Sequence, residues 1–323
     1  VRNKITINKE IDEKEIIPLR ILGFGSTFRI ELSYYIENEE LVVIKKPNRY
    51  DDNIPSLLNR ENQFYLRFES RIIPRFYGKI KNQNHLCIEF IQGESLDKIK
   101  HKYISFEDKI IILFEIMLAV ELFHQNHIIL RDLKPNNIML DQYRRVIFID
   151  FDRIIYSQDL NNHNYYTNDF CSEYHAPEIN SNNFSTSCDI YSIGKIIEFI
   201  MKEDNPIIRE TFESCTNNKP DERPSIIDLI ISFYLNFHEH INQKEYLFDE
   251  LDENKSIKVI NKLTSKSKSE MYYEVGLYYE NEYIIPDINK LIYYLTLSAN
   301  LNNSNAQNYL GKIYFEGEYI PRD

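Results

Sequence analysis

The chain has 323 residues, 43% of them hydrophobic, and a formal net charge of -12. That length suffices for one two-lobed domain plus a smaller module, with a substantial buried core. The acidic balance excludes a nonspecific nucleic-acid binder, because neutralising phosphates takes clustered Lys and Arg that Asp and Glu do not outnumber.

The four cysteines, Cys87, Cys171, Cys188 and Cys215, show neither metal-ligand spacing nor the pattern of a secreted disulfide framework. Zinc is therefore not expected, and reduced thiols in a cytoplasmic protein are. The most apolar run, Ile110 to Val120, is interrupted by Glu115 and is too short for a membrane span; it reads as a buried helix. No signal peptide and no membrane segment are evident.

In chain order, residues 16 to 82 read as β-rich segments with one helical stretch around Asp52 to Phe68. His85 to Ile91 is an apolar strand. Helical periodicity then dominates to about residue 240, over Phe106 to His124, Cys188 to Met201 and Ser225 to Asn236. A charged stretch, 241–268, reads as a linker or helix.

From 269 onward a pattern recurs. Met271, Val275, Gly276 and Tyr279 return as Ala306, Leu310, Gly311 and Tyr314, with a spacing of 35 residues from Gly276 to Gly311. The segment Glu282 to Asp287 also returns, with one residue inserted, as Glu318 to Asp323. Such a period belongs to helical hairpins.

Inside the larger region four stretches stand in a telling order. They are Leu22-Gly23-Phe24-Gly25 running on to Phe28-Arg29-Ile30, then Val42-Val43-Ile44-Lys45, then Leu130-Arg131-Asp132-Leu133-Lys134-Pro135-Asn136-Asn137, then Phe148-Ile149-Asp150-Phe151-Asp152. Phosphoryl transfer needs a carboxylate to orient the attacking hydroxyl, a cation beside the moving phosphoryl group and hard oxygen ligands for a divalent cation.

This ordered set resembles the protein kinase family, and the C-terminal pattern resembles Sel-one-like repeats, relatives of the tetratricopeptide class. The resemblance implies an α+β bilobal fold at 16–240, with a β-rich small lobe and a helical large lobe, followed by an all-α repeat module at 269–323. Because a repeat needs a neighbour to cover its face, a chain that stops in the second repeat is expected to be a fragment.

The same resemblance implies ATP and Mg²⁺ as cofactors and a protein hydroxyl as acceptor, with Asp132 and Lys134 as catalytic residues and Asn137 and Asp150 as metal ligands. Leu22, Gly23, Gly25, Ile30, Val43 and Lys45 would line the nucleotide site, and Glu61 would pair with Lys45. Ile88 would guard the pocket's rear while Glu89 and Ile91 offered backbone groups to adenine, with Gln92 to Leu96 starting the next helix. The Leu-Lys-Pro-x-Asn form implies a serine/threonine kinase.

Cys171 to Glu178 resembles the segment closing the activation loop, with Glu178 paired to Arg223, and Asp189 resembles the aspartate that anchors the catalytic loop. Arg131 resembles the arginine that clamps a loop phosphate, with Thr167, Ser172, Tyr165 and Tyr166 as acceptors.

Three residues depart from the family pattern besides Cys171, which stands in place of a threonine contacting Asp132 and Lys134. Phe28 takes the third glycine position, Leu130 replaces a histidine, and Asp152 replaces the glycine after Asp150-Phe151. At 152 a left-handed backbone strained by Asp is expected. The competing function is a pseudokinase scaffold that binds partners, including a protein partner on the repeats, without efficient transfer.

Overall fold

The computed structural model describes residues 10–25, 27–48, 54–100, 103–159, 172–180, 185–201, 205–242, 254–281 and 286–316. It divides into two compact units, Val1–Ser225 and Ile226–Asp323.

The first unit begins with strands β1 (Glu10–Ile11), β2 (Ile16–Phe24), β3 (Phe28–Tyr35) and β4 (Glu40–Pro47), helix α1 (Ile54–Arg67), and strands β5 (Phe76–Ile80) and β6 (Leu86–Glu89). These strands form one sheet in the order β1-β5-β6-β4-β3-β2, with β2, β3 and β4 an antiparallel meander and β1 parallel to β5. Side chains alternate along β4. Val42 and Ile44 are buried with Ile11, Tyr35, Ile80 and Cys87, which turns Val43 and Lys45 to the opposite face, toward α1.

After β6 the chain departs from expectation. Gly93–Ser95 forms a strand, β7, and Leu96 begins a turn rather than a helix. β7 pairs with β9 (Ile138–Asp141), and a Cβ at Gly93 would fall 2.0 Å from the Leu140 carbonyl oxygen. Only glycine allows that approach.

Helix α2 (Phe106–Gln125) is capped by Ser105, whose hydroxyl accepts from the Asp108 N–H at 3.1 Å. Every residue from Lys109 to Phe123 is buried, as expected of a helix that is apolar all round. Around it lie β8 (Ile128–Ile129), β9, β10 (Val146–Phe148), β11 (Ile155–Tyr156), α3 (Ser187–Ile200) and α4 (Pro206–Cys215). The antiparallel pairings β8 with β11 and β9 with β10 set the chain's two chemistry-bearing loops, 130–137 and 149–154, side by side.

The second unit is helical over its described residues: α5 (Ile226–Ile241), α6 (Lys255–Leu263), α7 (Lys268–Asn281), α8 (Ile288–Asn300) and α9 (Ser304–Glu316). α5 joins this unit, ahead of the 240/241 boundary suggested by composition, because Asp228 accepts from Tyr279 at 2.6 Å and from Lys290 at 2.5 Å. The recurring residues lie on α7 and α9 at matching offsets, with Met271, Val275, Tyr279 and Ala306 buried and Tyr314 exposed. Residues 282–285 and 317–323 of the second recurring pattern fall outside the described residues.

Cys87, Cys188 and Cys215 are buried free thiols, and Cys171 lies outside the described residues. No described helix is long and apolar enough to cross a membrane.

Candidate active site

The site is built where β4, α1 and the two loops meet. Lys45, buried on β4, donates to Glu61 Oε2 of α1 at 2.6 Å and to Asp150 Oδ1 at 2.6 Å. Burial alone would depress the Lys45 ammonium, but the carboxylates of Asp150, Glu61 and Asp152 hold it well above its ordinary value. The pair with Glu61 ties the sheet to the helix. The Phe151 N–H also reaches Glu61 Oε1 at 3.5 Å, and Arg60 donates to the Asp152 carbonyl at 3.1 Å, so α1 holds the 149–154 loop as well.

That loop rests on an aromatic cluster. Phe151 stacks on Phe64 with centroids 4.2 Å apart and meets Tyr65 edge-on, and Tyr65 stacks on Phe76. Asp150 itself is the left-handed residue, with φ 69°. The expectation of left-handed backbone at Asp152 is therefore corrected, since Asp152 is absent from the positive-φ residues. Asp150 takes the turn because its carboxylate must leave the apolar Phe148–Ile149 run to meet Lys45. What Asp152 contributes is charge: it is buried beside Asp150, and burial first, then Asp150, push its carboxyl up to about 7.

The 130–137 loop is shaped by Asp189, near the start of α3. Its Oδ2 accepts from the Leu130 N–H at 3.0 Å and meets His124 Nε2 at 2.9 Å, while its Oδ1 accepts from the Arg131 N–H at 2.9 Å. These bonds hold Arg131 at φ 66°. Leu130 is buried there, so an apolar residue fills the position.

Asp132 is surrounded by donors. Lys134 Nζ lies 3.0 Å from Oδ1 and 2.8 Å from Oδ2, Asn137 Nδ2 lies 3.1 Å from Oδ2, and His175 Nε2 lies 2.9 Å from Oδ1. Burial would raise this carboxyl, yet His175 and Lys134 hold it below its ordinary value.

The donor set suits a hard divalent cation. The Asn137 amide nitrogen is committed to Asp132 and its carbonyl, which turns the amide oxygen away from them. Asp150 keeps a carboxylate that is 37% exposed. One amide oxygen and one carboxylate are what Mg²⁺ accepts alongside water and phosphate oxygens. The Ile149 N–H donates to the Asn137 carbonyl at 2.9 Å, which locks the two loops together.

At the β2–β3 turn, Gly25 N–H donates to the Phe28 carbonyl at 2.7 Å. Leu22, Gly23, Ile30 and Val43 lie along β2, β3 and β4, with Ile30 directly opposite Lys45 in register. Ile88 is buried on β6. The Glu89 N–H is spent on the Arg75 carbonyl at 2.8 Å, whereas Ile91 lies beyond the strand.

Glu178 and Arg223 form a two-pronged pair, at 2.6 and 2.9 Å, beneath the segment that carries His175. Two residues with direct bearing on the site were not singled out in sequence: His175, whose partner lies 43 positions away, and Arg60. Thr167, Tyr165 and Tyr166 fall outside the described residues.

Comparison with known proteins gives this geometry a context. The sequence is 31% identical over 186 residues to the SNF1-related protein kinase catalytic subunit alpha KIN12 of Arabidopsis thaliana, covering 55% of this chain and 37% of that protein. It is 28% identical over 213 residues to the cAMP-dependent protein kinase type 3 of Saccharomyces cerevisiae, covering 62% and 52%. Spermatocyte protein spe-8 of Caenorhabditis briggsae is 25% identical over 233 residues, 69% of this chain and 42% of that protein. The chain thus spans about half or less of the length of these curated relatives. With residues 17–272 matching the protein kinase domain model, which is most of its length, the chain belongs to the protein kinase family.

Proposed function

We propose that this chain is an ATP- and Mg²⁺-dependent serine/threonine protein kinase of the cytoplasm, with Sel-one-like C-terminal repeats that recruit a protein partner. The observation that carries the reading is the convergence on one cleft of Asp132 with its donors Lys134 and Asn137, and of Asp150 with Lys45 and Glu61. The buried free cysteines support a reducing compartment. Matching residues at matching offsets on α7 and α9 support the repeat assignment.

In this reading Leu22, Gly23, Gly25, Ile30 and Val43 wall the nucleotide site, and Glu89 and Ile91 face adenine with backbone groups. Lys45 contacts nucleotide phosphates, held in reach by Glu61. Asn137 and Asp150 hold Mg²⁺, which supplies charge neutralisation on the phosphates. Asp132 orients the acceptor hydroxyl and receives its proton, and Lys134 steadies the moving phosphoryl group. The Lys134-Pro135-Asn136-Asn137 form and the kinases named above favour Ser or Thr as acceptor.

A phosphotransfer assay with a mixed Ser/Thr peptide library tests the reading. Asp132→Asn should lower the rate by roughly 10²- to 10⁴-fold. A wild type no faster than this variant sinks it.

One observation favours a pseudokinase scaffold instead: the buried Phe28 ring lies over Lys45 at 4.5 Å, on the phosphate side of the cleft. That reading expects no efficient transfer, whether or not Mg²⁺-ATP produces a thermal shift.

A further inference from the structure

We infer that His175 is a positioning residue for phosphoryl transfer, holding the Asp132 carboxylate in place from the 172–178 segment while Lys134 turns to the phosphoryl group. The inference rests on the kinase reading above and assigns a role to a residue to which the resemblance gave none.

The tautomer follows from a contact at each ring nitrogen. The Ser172 N–H points at His175 Nδ1 from 3.2 Å, so Nδ1 is the acceptor. A neutral imidazole then carries its proton on Nε2, and that N–H donates to Asp132 Oδ1 at 2.9 Å. The ring has little freedom to do otherwise, since its side chain is 7% exposed.

The backbone beneath it is fixed. The Tyr174 carbonyl accepts from Ser192 Oγ of α3 at 2.8 Å, and the Tyr174 ring meets Phe199 of the same helix edge-on at 6.3 Å. Three residues further on, Glu178 is clamped by Arg223.

A carboxylate offers about four acceptor positions. Asp132 spends them on two contacts from Lys134, one from Asn137 and one from His175. An acceptor hydroxyl needs one of these positions, so a donor must leave. Lys134 has a flexible stem and is 28% exposed, and its ammonium is drawn to the transferring phosphoryl group. Asn137 would hold a metal through the oxygen of the same amide, whose nitrogen stays on Asp132. His175 depends on neither nucleotide nor metal, and is an anchor that stays through the reaction.

The sequence supplies a reason for a histidine here. Cys171 stands where the family places a hydroxyl against Asp132 and Lys134, and a thiol is a weak donor. His175 delivers a stronger N–H from four residues along. Asp132 is thereby oriented from the 172–178 segment as well as from its own loop.

The test compares His175→Leu, which keeps bulk and loses the donor, with His175→Gln, which keeps an N–H of similar reach. Steady-state kinetics use Mg²⁺-ATP and the mixed Ser/Thr peptide library, with Asp132→Asn as the blank. His175→Leu should lower kcat by about tenfold to a hundredfold, leaving KM for ATP unchanged, and His175→Gln should recover most of the loss. Imidazole ¹⁵N NMR of the wild type should show Nε2 protonated and Nδ1 bare, a readout that survives if His175→Leu fails to fold. Wild-type kcat in His175→Leu, or an Nδ1–H tautomer in the wild type, overturns the inference alone. A wild type indistinguishable from Asp132→Asn overturns the kinase reading and the role with it.

Discussion

The Phe28 ring covers the Lys45 ammonium, with Nζ 4.5 Å from the ring centroid. The contact follows from register: Phe28 pairs with Pro47 and Ile30 with Lys45, so Phe28 and Lys45 project from the same face of the sheet. A glycine at 28 would leave that space to a nucleotide's phosphates. On the kinase reading proposed above, the aromatic must move aside before phosphates can enter.

The apparent affinity of a site open only part of the time is reduced by the open fraction. Phe28→Gly is therefore expected to lower KM for ATP by about three- to tenfold and to enlarge the thermal shift produced by Mg²⁺-ATP. The ligand-free variant should lose about 3 kcal/mol of stability with the buried ring. An unchanged or higher KM would show that Phe28 does not obstruct the site.

Asp152 carries a pH signature. Its carboxyl is pushed up to about 7, chiefly by burial and then by Asp150, against about 3.9 in an unfolded chain. Between those values the native state keeps a proton that the unfolded state has lost. Stability of the metal-free protein should then fall as pH rises from about 4 to 7. Asp152→Asn should flatten this part of the curve, and melting in chelator across that range measures it. An equally steep fall in the variant would place the slope elsewhere.

How much of this was legible in sequence differs by element. Asp132, Lys134, Asn137 and Asp150 were named because their chemistry demands residue identity at fixed intervals. Helix α2 was visible as an apolar run within the helical pattern of Phe106 to His124. β7 was not, because its pairing with β9 depends on a strand more than forty residues away, and Gln92 to Leu96 was expected to start a helix. Handedness misled at Asp152 because the family's glycine marks where flexibility is permitted, whereas the left-handed turn itself falls on Asp150. His175 escaped notice because a histidine acquires meaning only from the carboxylate that the fold brings to it.

Arg131 suggests a route to regulation. Burial, with Arg60 and Arg153 nearby, lowers its guanidinium to about 10, which leaves it charged at neutral pH among like charges. A phosphate dianion relieves such crowding through charge-assisted hydrogen bonds. Phosphorylation in the 160–172 segment, at Thr167 first and otherwise at Ser172, Tyr165 or Tyr166, should raise the transfer rate. Phosphatase treatment should reverse the gain, and Arg60→Ala should blunt it, since Arg60 also holds the Asp152 carbonyl. A rate indifferent to phosphatase would discard this regulation.

Gly276 and Gly311 occupy matching positions in the two recurring patterns yet meet different surroundings. A Cβ at Gly276 would touch the Leu291 carbonyl oxygen and the Leu295 side chain at 3.4 Å, whereas a Cβ at Gly311 would meet nothing within 4 Å. At the first glycine a methyl would sit in ordinary contact with α8, and a larger side chain would not fit. The second carries only the helix-propensity penalty of glycine. Gly276→Leu should cost about 1 to 3 kcal/mol by overpacking this contact, while Gly311→Ala should stabilise by up to about 1 kcal/mol. Urea unfolding of the full chain, with hydrogen exchange read over 268–300, separates the two. Equal effects at both positions would mean that the packing of α7 on α8 does not limit side-chain size at Gly276.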